Sequence, residues 1–286
     1  MTNLLPYIIC GLICNLLLSL TVSSISIIAE LPPAKLDSHK ECRKSSEEIR
    51  VWFYPAEFEK IDKKILRAMK ERNVNSLYLS IDKTFDTKIK NFISMSKNMG
   101  LNVYAIILED PSYVYSNNHE LNESFGNVVK ETNKFFDGYI IDVEPHTETG
   151  ADPSLYLIRY VNMSKSIHNI ASEYNVQYYD TIPIWYHEEM EKAGIEGGLN
   201  SLYSDGVYLL DYEPSVQEVL NKYIPIKDQL NKCVIINIKL TPGSGPSINA
   251  SELPSAIYSI KNTEAGIGLF EANYTLSLSP DLFEIK

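Results

Sequence analysis

Two carboxylates stand two residues apart, Asp142 and Glu144, at the end of the run from Phe136 through Asp137-Gly138-Tyr139-Ile140-Ile141-Asp142-Val143-Glu144 to Pro145. In an extended strand residues i and i+2 project to one face, roughly 7 Å apart along the chain. Two carboxyl groups held that close do not both ionise easily. One pKa rises, and that group can deliver a proton near neutral pH while its neighbour stays charged. This is general acid/base chemistry. The plain alternative for either acid is a solvated strand end, and Asp137-Gly138 reads as a turn into the strand whatever follows it.

The elements that must position this pair repeat along the chain. Short β-branched or aromatic runs occur at Val51–Tyr54, Ser76–Ile81, Asn102–Leu108, Gly138–Val143, Gln177–Trp185, Val207–Tyr212, Cys233–Leu240 and Ile267–Glu271. Helical patterns separate them, from Phe58 to Met69 and then over 86–98, 121–135, 153–174, 187–202, 215–230 and 251–262. Asp152-Pro153 and Pro214-Ser215 supply helix-start signals. Strands alternating with helices pair in parallel, and eight such units close into a single α/β (β/α)8 barrel with a short or missing eighth helix. A doubly wound sheet is the alternative, but no Gly-rich phosphate loop follows the first strand.

Barrels of this kind place their sites at the C-terminal strand ends. Those ends carry Tyr54, Asp82, Glu109 with Asp110, Asp142 with Glu144, Trp185 with Tyr186, Asp211 with Tyr212 and Glu213, Lys239, and Glu271. Asp142, Glu144 and Asp211 are the catalytic candidates. Tyr54, Tyr78, Asp82, Glu109, Trp185, Tyr186, Tyr212, Glu213, Lys239 and Glu271 are the substrate-binding ones. Parity places Ser76, Tyr78, Ser80 and Asp82 inside the barrel and Leu77, Leu79 and Ile81 outside. Asn237 and Lys239 likewise face inward, against Ile236, Ile238 and Leu240. Gly266 and Gly268 are expected to leave room beside the axis. A polar, Tyr-lined upper barrel suits sugar hydroxyls, and Trp185 and Tyr186 could stack on a pyranose or serve as core or rim. His146 could tune Glu144 or be an ordinary loop histidine. Lys239 could orient a carboxylate or a substrate.

The segment Asp137–Glu144 resembles the strand-four signature of glycoside hydrolase family 18, Asp-Gly-x-Asp-x-Asp-x-Glu. The resemblance implies Glu144 as general acid/base on a glycosidic oxygen. It implies Asp142 as the neighbour that shares its proton and steadies a substrate acetamido group attacking its own anomeric carbon. Leu210-Asp211-Tyr212 is similar to that family's Tyr-Asp pair in reversed order. Ile140 departs from the signature, as does Ile-Leu-Glu-Asp-Pro at the end of strand three. Family 25 lysozymes and family 114 galactosaminidase-like barrels share parts of the pattern. An enzyme nucleophile would require a second carboxylate about 5 Å from the acid, and an inverting base a wider gap. Asp211 and Glu213 are the candidates for either, since strand seven ends in Lys239-Leu240-Thr241 with no acid.

Composition narrows the partners. The chain has 286 residues, 44% apolar and 22% charged, and a net charge of −11. Nucleic acid is excluded as a partner, because phosphate neutralisation needs basic surface. The absence of paired His or Cys argues against a transition metal, and carboxylate-bound Mg or Ca is the other metal reading. No cofactor is expected, and the barrel is read as a monomer.

Residues 1–29 are read as an export segment, uncharged from Leu4 to Ile28, either a cleaved signal peptide or a membrane anchor. Membrane contact is expected only through that segment if it is retained. Residues 30–48 form a polar linker with Pro32-Pro33, and 49–286 the barrel. Asn122, Asn162, Asn249 and Asn273 head N-glycosylation sequons, each in a helix or loop. Cys42 and Cys233 would lie near the N-terminal face, either as a disulfide or as two buried thiols. Secretion or anchoring at the outer face follows. The functions to be separated are glycan hydrolysis, catalytically inert lectin-like carbohydrate binding, and a structural surface role. The presence of Glu144 favours the first.

Overall fold

The computed structural model describes residues 48–57, 61–81, 85–148, 150–243 and 245–284. The export segment, Cys42, Asp82, Phe58 and most of the linker lie outside the described residues. Eight parallel strands close a barrel in sequence order. They are β1 Ile49–Phe53, β2 Val74–Ser80, β3 Asn102–Ile107, β4 Gly138–Ile141, β5 Tyr178–Pro183, β6 Gly206–Leu210, β7 Cys233–Lys239 and β8 Gly266–Phe270. The ring is closed where Arg50 pairs with Gly268 across β1 and β8.

The outer helices are α1 Lys63–Glu71, α2 Thr87–Asn98, α3 Asn118–Leu121, α4 Asn127–Thr132, α5 Pro153–Glu173, α6 Tyr186–Lys192, α7 Val216–Lys227, α8 Leu253–Lys261 and α9 Ala272–Ser277. Side chains acting as caps start most of them. Asp62, Asp86, Asp152 and Ser215 each accept a backbone N–H of the first turn, and Asn117 with Glu120 forms a reciprocal capping box. A π-helical turn, Asn122–Gly126, joins α3 to α4. The eighth helix, α9, is short. The continuous helix expected over 187–202 is instead α6 followed by a separate 3-10 turn, Gly198–Ser201. Gly194 and Gly197 adopt φ of 78° and 81°, the left-handed conformation that ends a helix. Among the described residues no helix is long and apolar enough to cross a membrane.

Two apolar layers follow the strand alternation. Val51, Leu77, Val103, Ile141, Ile182, Leu209, Ile236 and Leu269 face the helices in one continuous core. The barrel interior holds Trp52, Tyr78, Ile106, Ile140, Tyr208 and Ile235, flanked by Tyr54, Tyr104, Tyr179 and Phe270. Aromatic rings fill the axis edge to face, with Tyr78 and Tyr208 centroids 4.9 Å apart and Trp52 and Tyr78 5.8 Å apart. Below them Arg50 is buried and pairs with Glu48 at 3.2 Å.

The room expected beside the axis at strand eight is occupied. A Cβ on Gly268 would lie 1.9 Å from Asn237 Oδ1, the atom that accepts Trp52 Nε1–H at 2.9 Å. Glycine here admits the Asn237–Trp52 bond instead of creating a cavity.

Candidate active site

Beyond Ile141 the fourth strand leaves the ladder, yet Asp142 still donates its N–H to the Ile107 carbonyl at 3.3 Å. Its side chain shares the inward parity of Ile140. Asp142 Oδ1 is sealed from solvent and finds no hydrogen-bond partner among the described residues. Burial pushes the Asp142 carboxyl well above the ordinary range, and the charges of Glu144 and Glu109 push it further. Burial also raises Glu144. Two carboxyls, with the Glu144 charge raising Asp142, therefore sit at the C-terminal mouth, where such barrels hold their chemistry.

Glu109 reaches this mouth by a backbone device. Strict alternation on β3 would send Leu108 inward with Tyr104 and Ile106. Leu108 instead has φ of 57° and packs in the outer core. That left-handed residue, costly for a side chain branched beyond Cβ, reverses the alternation. Glu109 then faces the mouth, where it accepts the Ser80 hydroxyl at 2.9 Å. Tyr54 borders all three acids: burial raises its hydroxyl, with further upward pushes from Asp142, Glu109, Tyr212 and Glu144. Burial likewise raises the Tyr212 hydroxyl, followed by Asp142 and Glu144. Phe270 packs against Trp52, Tyr54 and Tyr212, flooring the mouth with rings.

On the β5 side, His146 Nε2 lies 3.4 Å from Glu144 Oε2, and its Nδ1 lies 3.1 Å from the Tyr186 hydroxyl. Burial lowers the imidazole. Trp185 meets His146 edge on, with centroids 5.5 Å apart, and remains 41% exposed.

Other candidates lie elsewhere. Asp211 takes the outward parity of Val207 and Leu209. Its carboxyl is raised to about 7, by burial first, while Lys222 lowers it and Glu213 raises it. Neither Asp142 nor Glu144 is among the charges it senses. Glu213 is ion-paired with Lys222 of α7. The two acids proposed from sequence as nucleophile or base thus turn toward a helix. Tyr78 is fully buried among Trp52, Tyr104 and Tyr208, inside the barrel and below its rim. Tyr186 is fully buried against Tyr156 and Tyr160 of α5. Lys239 is half-buried at the end of β7, opposite Phe270 in register, and Glu271 is half-buried at the start of α9.

Sequence reasoning left Ser80 and Phe270 unassigned. The period-two pattern of β2 signals the first, and nothing local signals the second. Among the described residues no cluster of three or more His, Cys, Asp or Glu side chains could hold a metal ion. Cys233 is disulfide-bonded, while Cys42, its expected partner, lies outside the described residues. Asn122, Asn162, Asn249 and Asn273 are exposed and lie in helices or at a helix cap.

No family model matches the sequence, and no curated protein matches it. Solved structures do. A GH18 chitinase from Pseudoalteromonas aurantia superposes with a TM-score of 0.60 at 13% identity, over 82% of this chain and 97% of the other. A mutant of the Ostrinia furnacalis Group II chitinase catalytic domain 2, in complex with (NAG)5, gives 0.56 at 8% identity over 80% and 90%. A β-mannanase from Streptomyces thermolilacinus with mannohexaose gives 0.56 at 10% identity over 77% and 76%. The likeness is one of fold. This chain has the barrel that chitinases and other glycoside hydrolases share.

Proposed function

We propose that this protein is an exported glycoside hydrolase. Its substrate would be a glycan bearing amino or N-acetylamino sugars, with Glu144 as general acid/base and Asp142 as its partner. One observation carries the reading. Asp142 and Glu144, on one strand end at the barrel mouth, are both pushed above the ordinary carboxylate range by burial, so each holds a proton more readily than a free carboxyl.

In the step proposed, Glu144 gives its proton to the leaving-group oxygen as the glycosidic C–O bond breaks. The acetamido oxygen of the substrate closes on the anomeric carbon. Asp142 holds the acetamido N–H and takes part of the developing charge. Glu144, now ionised, then deprotonates the water that opens the intermediate. The outward parity of Asp211, which senses Lys222 and Glu213 but neither Asp142 nor Glu144, supports a nucleophile supplied by the substrate rather than by β6. Export is supported by the disulfide-bonded state of Cys233 and the exposure of all four sequon asparagines.

The test is product release from a panel of chito-oligosaccharides, their de-N-acetylated forms and manno-oligosaccharides, with Glu144→Gln alongside. The expected result is turnover of the amino-sugar members and loss of about 10²–10⁴-fold in Glu144→Gln with melting unchanged. Undiminished hydrolysis by that variant rejects the assignment. Glycan binding without turnover by the native chain would point to the inert carbohydrate-binding barrel instead.

A further inference from the structure

The residue before Tyr212 is an acid that the chemistry of the mouth does not use. Asp211 follows β6 directly, on its outward face, and is 1% exposed. Both of its oxygens are sealed from solvent, and neither finds a hydrogen-bond partner among the described residues. The register explains this isolation. Pro183 pairs with Leu210 and Leu210 with Asn237, which sets Ile184 and Ile238 on either side of Asp211. Both isoleucines are buried in the outer core. The backbone is held on both flanks. Ile184 donates its N–H to the Leu210 carbonyl at 3.2 Å, and Asp211 donates its own to the Asn237 carbonyl at 3.1 Å. A strand end fixed in this way presents a carboxyl to an apolar slot.

We propose that Asp211 is a pH-sensitive latch on the mouth: as the neutral acid it lets the end of β6 pack shut with Tyr212 in place, and as the carboxylate it favours opening of that segment. A neutral carboxyl sits in such a slot at modest cost, whereas an ionised one with no donor on either oxygen is far more costly. The charge is relieved only by moving toward water or toward a cation. Lys222 of α7 is the cation whose charge bears on Asp211, and its ammonium is bonded to Glu213, two residues further along the same segment. Ionised Asp211 and Glu213 compete for that one lysine. Tyr212 stands between them in the chain, packed on Phe270 with centroids 5.9 Å apart, its hydroxyl under the influence of Asp142 and Glu144. Opening of the segment therefore moves a wall of the mouth.

The direction of the pH effect follows from the surroundings. Burial is the largest cause of the rise of the Asp211 carboxyl to about 7, with Lys222 of α7 lowering it and Glu213 on its own segment raising it. From β5 and β7 the flanking residues are Ile184 and Ile238, neither of them charged. α7 also buries Val219 and Tyr223, and the charges that raise the Tyr223 hydroxyl are Asp228 and Glu264, after burial. The folded pKa lies above the ordinary 3.8, so the closed segment favours protonated Asp211. That preference is complete below the ordinary value. It is lost as pH climbs from there through about 7, and is level above.

The experiment compares the native protein with Asp211→Asn from about pH 4 to about pH 8. One readout is the 13C titration of the native Asp211 carboxyl. The other is hydrogen-exchange protection of the amide at position 211, corrected for the intrinsic pH dependence of exchange. In the native protein that protection should fall by up to about tenfold per pH unit toward the titration and level off above it. In Asp211→Asn it should stay flat. An Asp211 that titrates in the ordinary carboxylate range overturns the proposal, as does protection that follows the same course in both proteins. Should the Asn variant not fold, Lys222→Met decides. Removing the cation that lowers Asp211 should carry the transition to higher pH, and an unmoved or lowered transition overturns the latch. Neither readout needs turnover, so hydrolysis surviving Glu144→Gln remains a separate result that bears only on the catalytic reading of the mouth.

Discussion

The Ser80 hydroxyl donates to Glu109 Oε2 at 2.9 Å, joining the last residue of β2 to the loop beyond β3. The bond exists because Leu108 takes φ of 57° and turns its own side chain to the helices. A third carboxylate is thereby delivered beside Asp142 and Glu144, and three acids share one mouth.

Glu109→Gln keeps an acceptor for Ser80 while removing a negative charge. Glu109 is the third cause of the raised Asp142 carboxyl, after burial and Glu144. Removing it should lower the Asp142 pKa, since a like charge no longer opposes ionisation. The acidic limb of activity should move to lower pH. A 13C titration of the Asp142 carboxyl checks the same shift without turnover, and an unmoved titration would contradict this electrostatic account.

A second acid should govern stability instead of chemistry. Asp180, on the outward face of β5, is fully buried, and burial raises its carboxyl to about 6. Ser164 donates to its Oδ2 at 3.0 Å and moderates the rise. Its folded pKa lies above the ordinary 3.8, so the folded state favours the protonated form. The stabilising contribution is complete below that ordinary value. It is lost as pH climbs from there through about 6, and is level above. Asp180→Asn should remove this dependence, a difference on the order of 1–3 kcal/mol between acidic and neutral pH. Thermal melts of both proteins from pH 4 to pH 8, values chosen to span roughly both limits, provide the check. Parallel curves would count against a titrating Asp180.

Arg72, the residue capping the end of α1, ties that helix to the end of α9. Its Nε donates to the Thr275 and Leu278 carbonyls at 3.1 Å, Nη2 to Leu276 at 2.8 Å, and Nη1 to Ala68 at 2.8 Å. The short α9 has no basic residue in its last turn, and Arg72 satisfies its C-terminal carbonyls from outside. Arg72→Ala should cost about 2–4 kcal/mol by leaving several carbonyls unpaired, and Arg72→Lys should recover only part. Urea melts measure both. An alanine variant as stable as the native chain would show that solvent replaces the guanidinium without loss.

Much of this was legible from the residues alone. The eight strands and their inward and outward faces follow from period-two alternation, and the helix starts at Asp152 and Ser215 from capping chemistry. Both signals are local, carried by neighbours along the chain. The pairing of Asp142 with Glu144 is equally local, since two residues on one strand share a face whatever surrounds them.

The tertiary structure decided what happens once a strand runs out. Beyond the last ladder bond no alternation rule holds, and backbone torsion and packing choose where a side chain goes. Leu108 swings out so that Glu109 comes in, while Asp211 keeps its outward parity and Glu213 pairs with Lys222. Tyr78 looks like a ligand-facing residue on its strand, yet Trp52, Tyr104 and Tyr208 enclose it because the axis of a barrel must be filled. His146 and Tyr186 lie 40 residues apart and meet only because β4 and β5 are neighbours in the closed ring. The sequence alone determined the barrel and its two central acids, because neighbours on one strand carry that information. Which other groups surround those acids was left to long-range packing, which no short stretch of chain encodes.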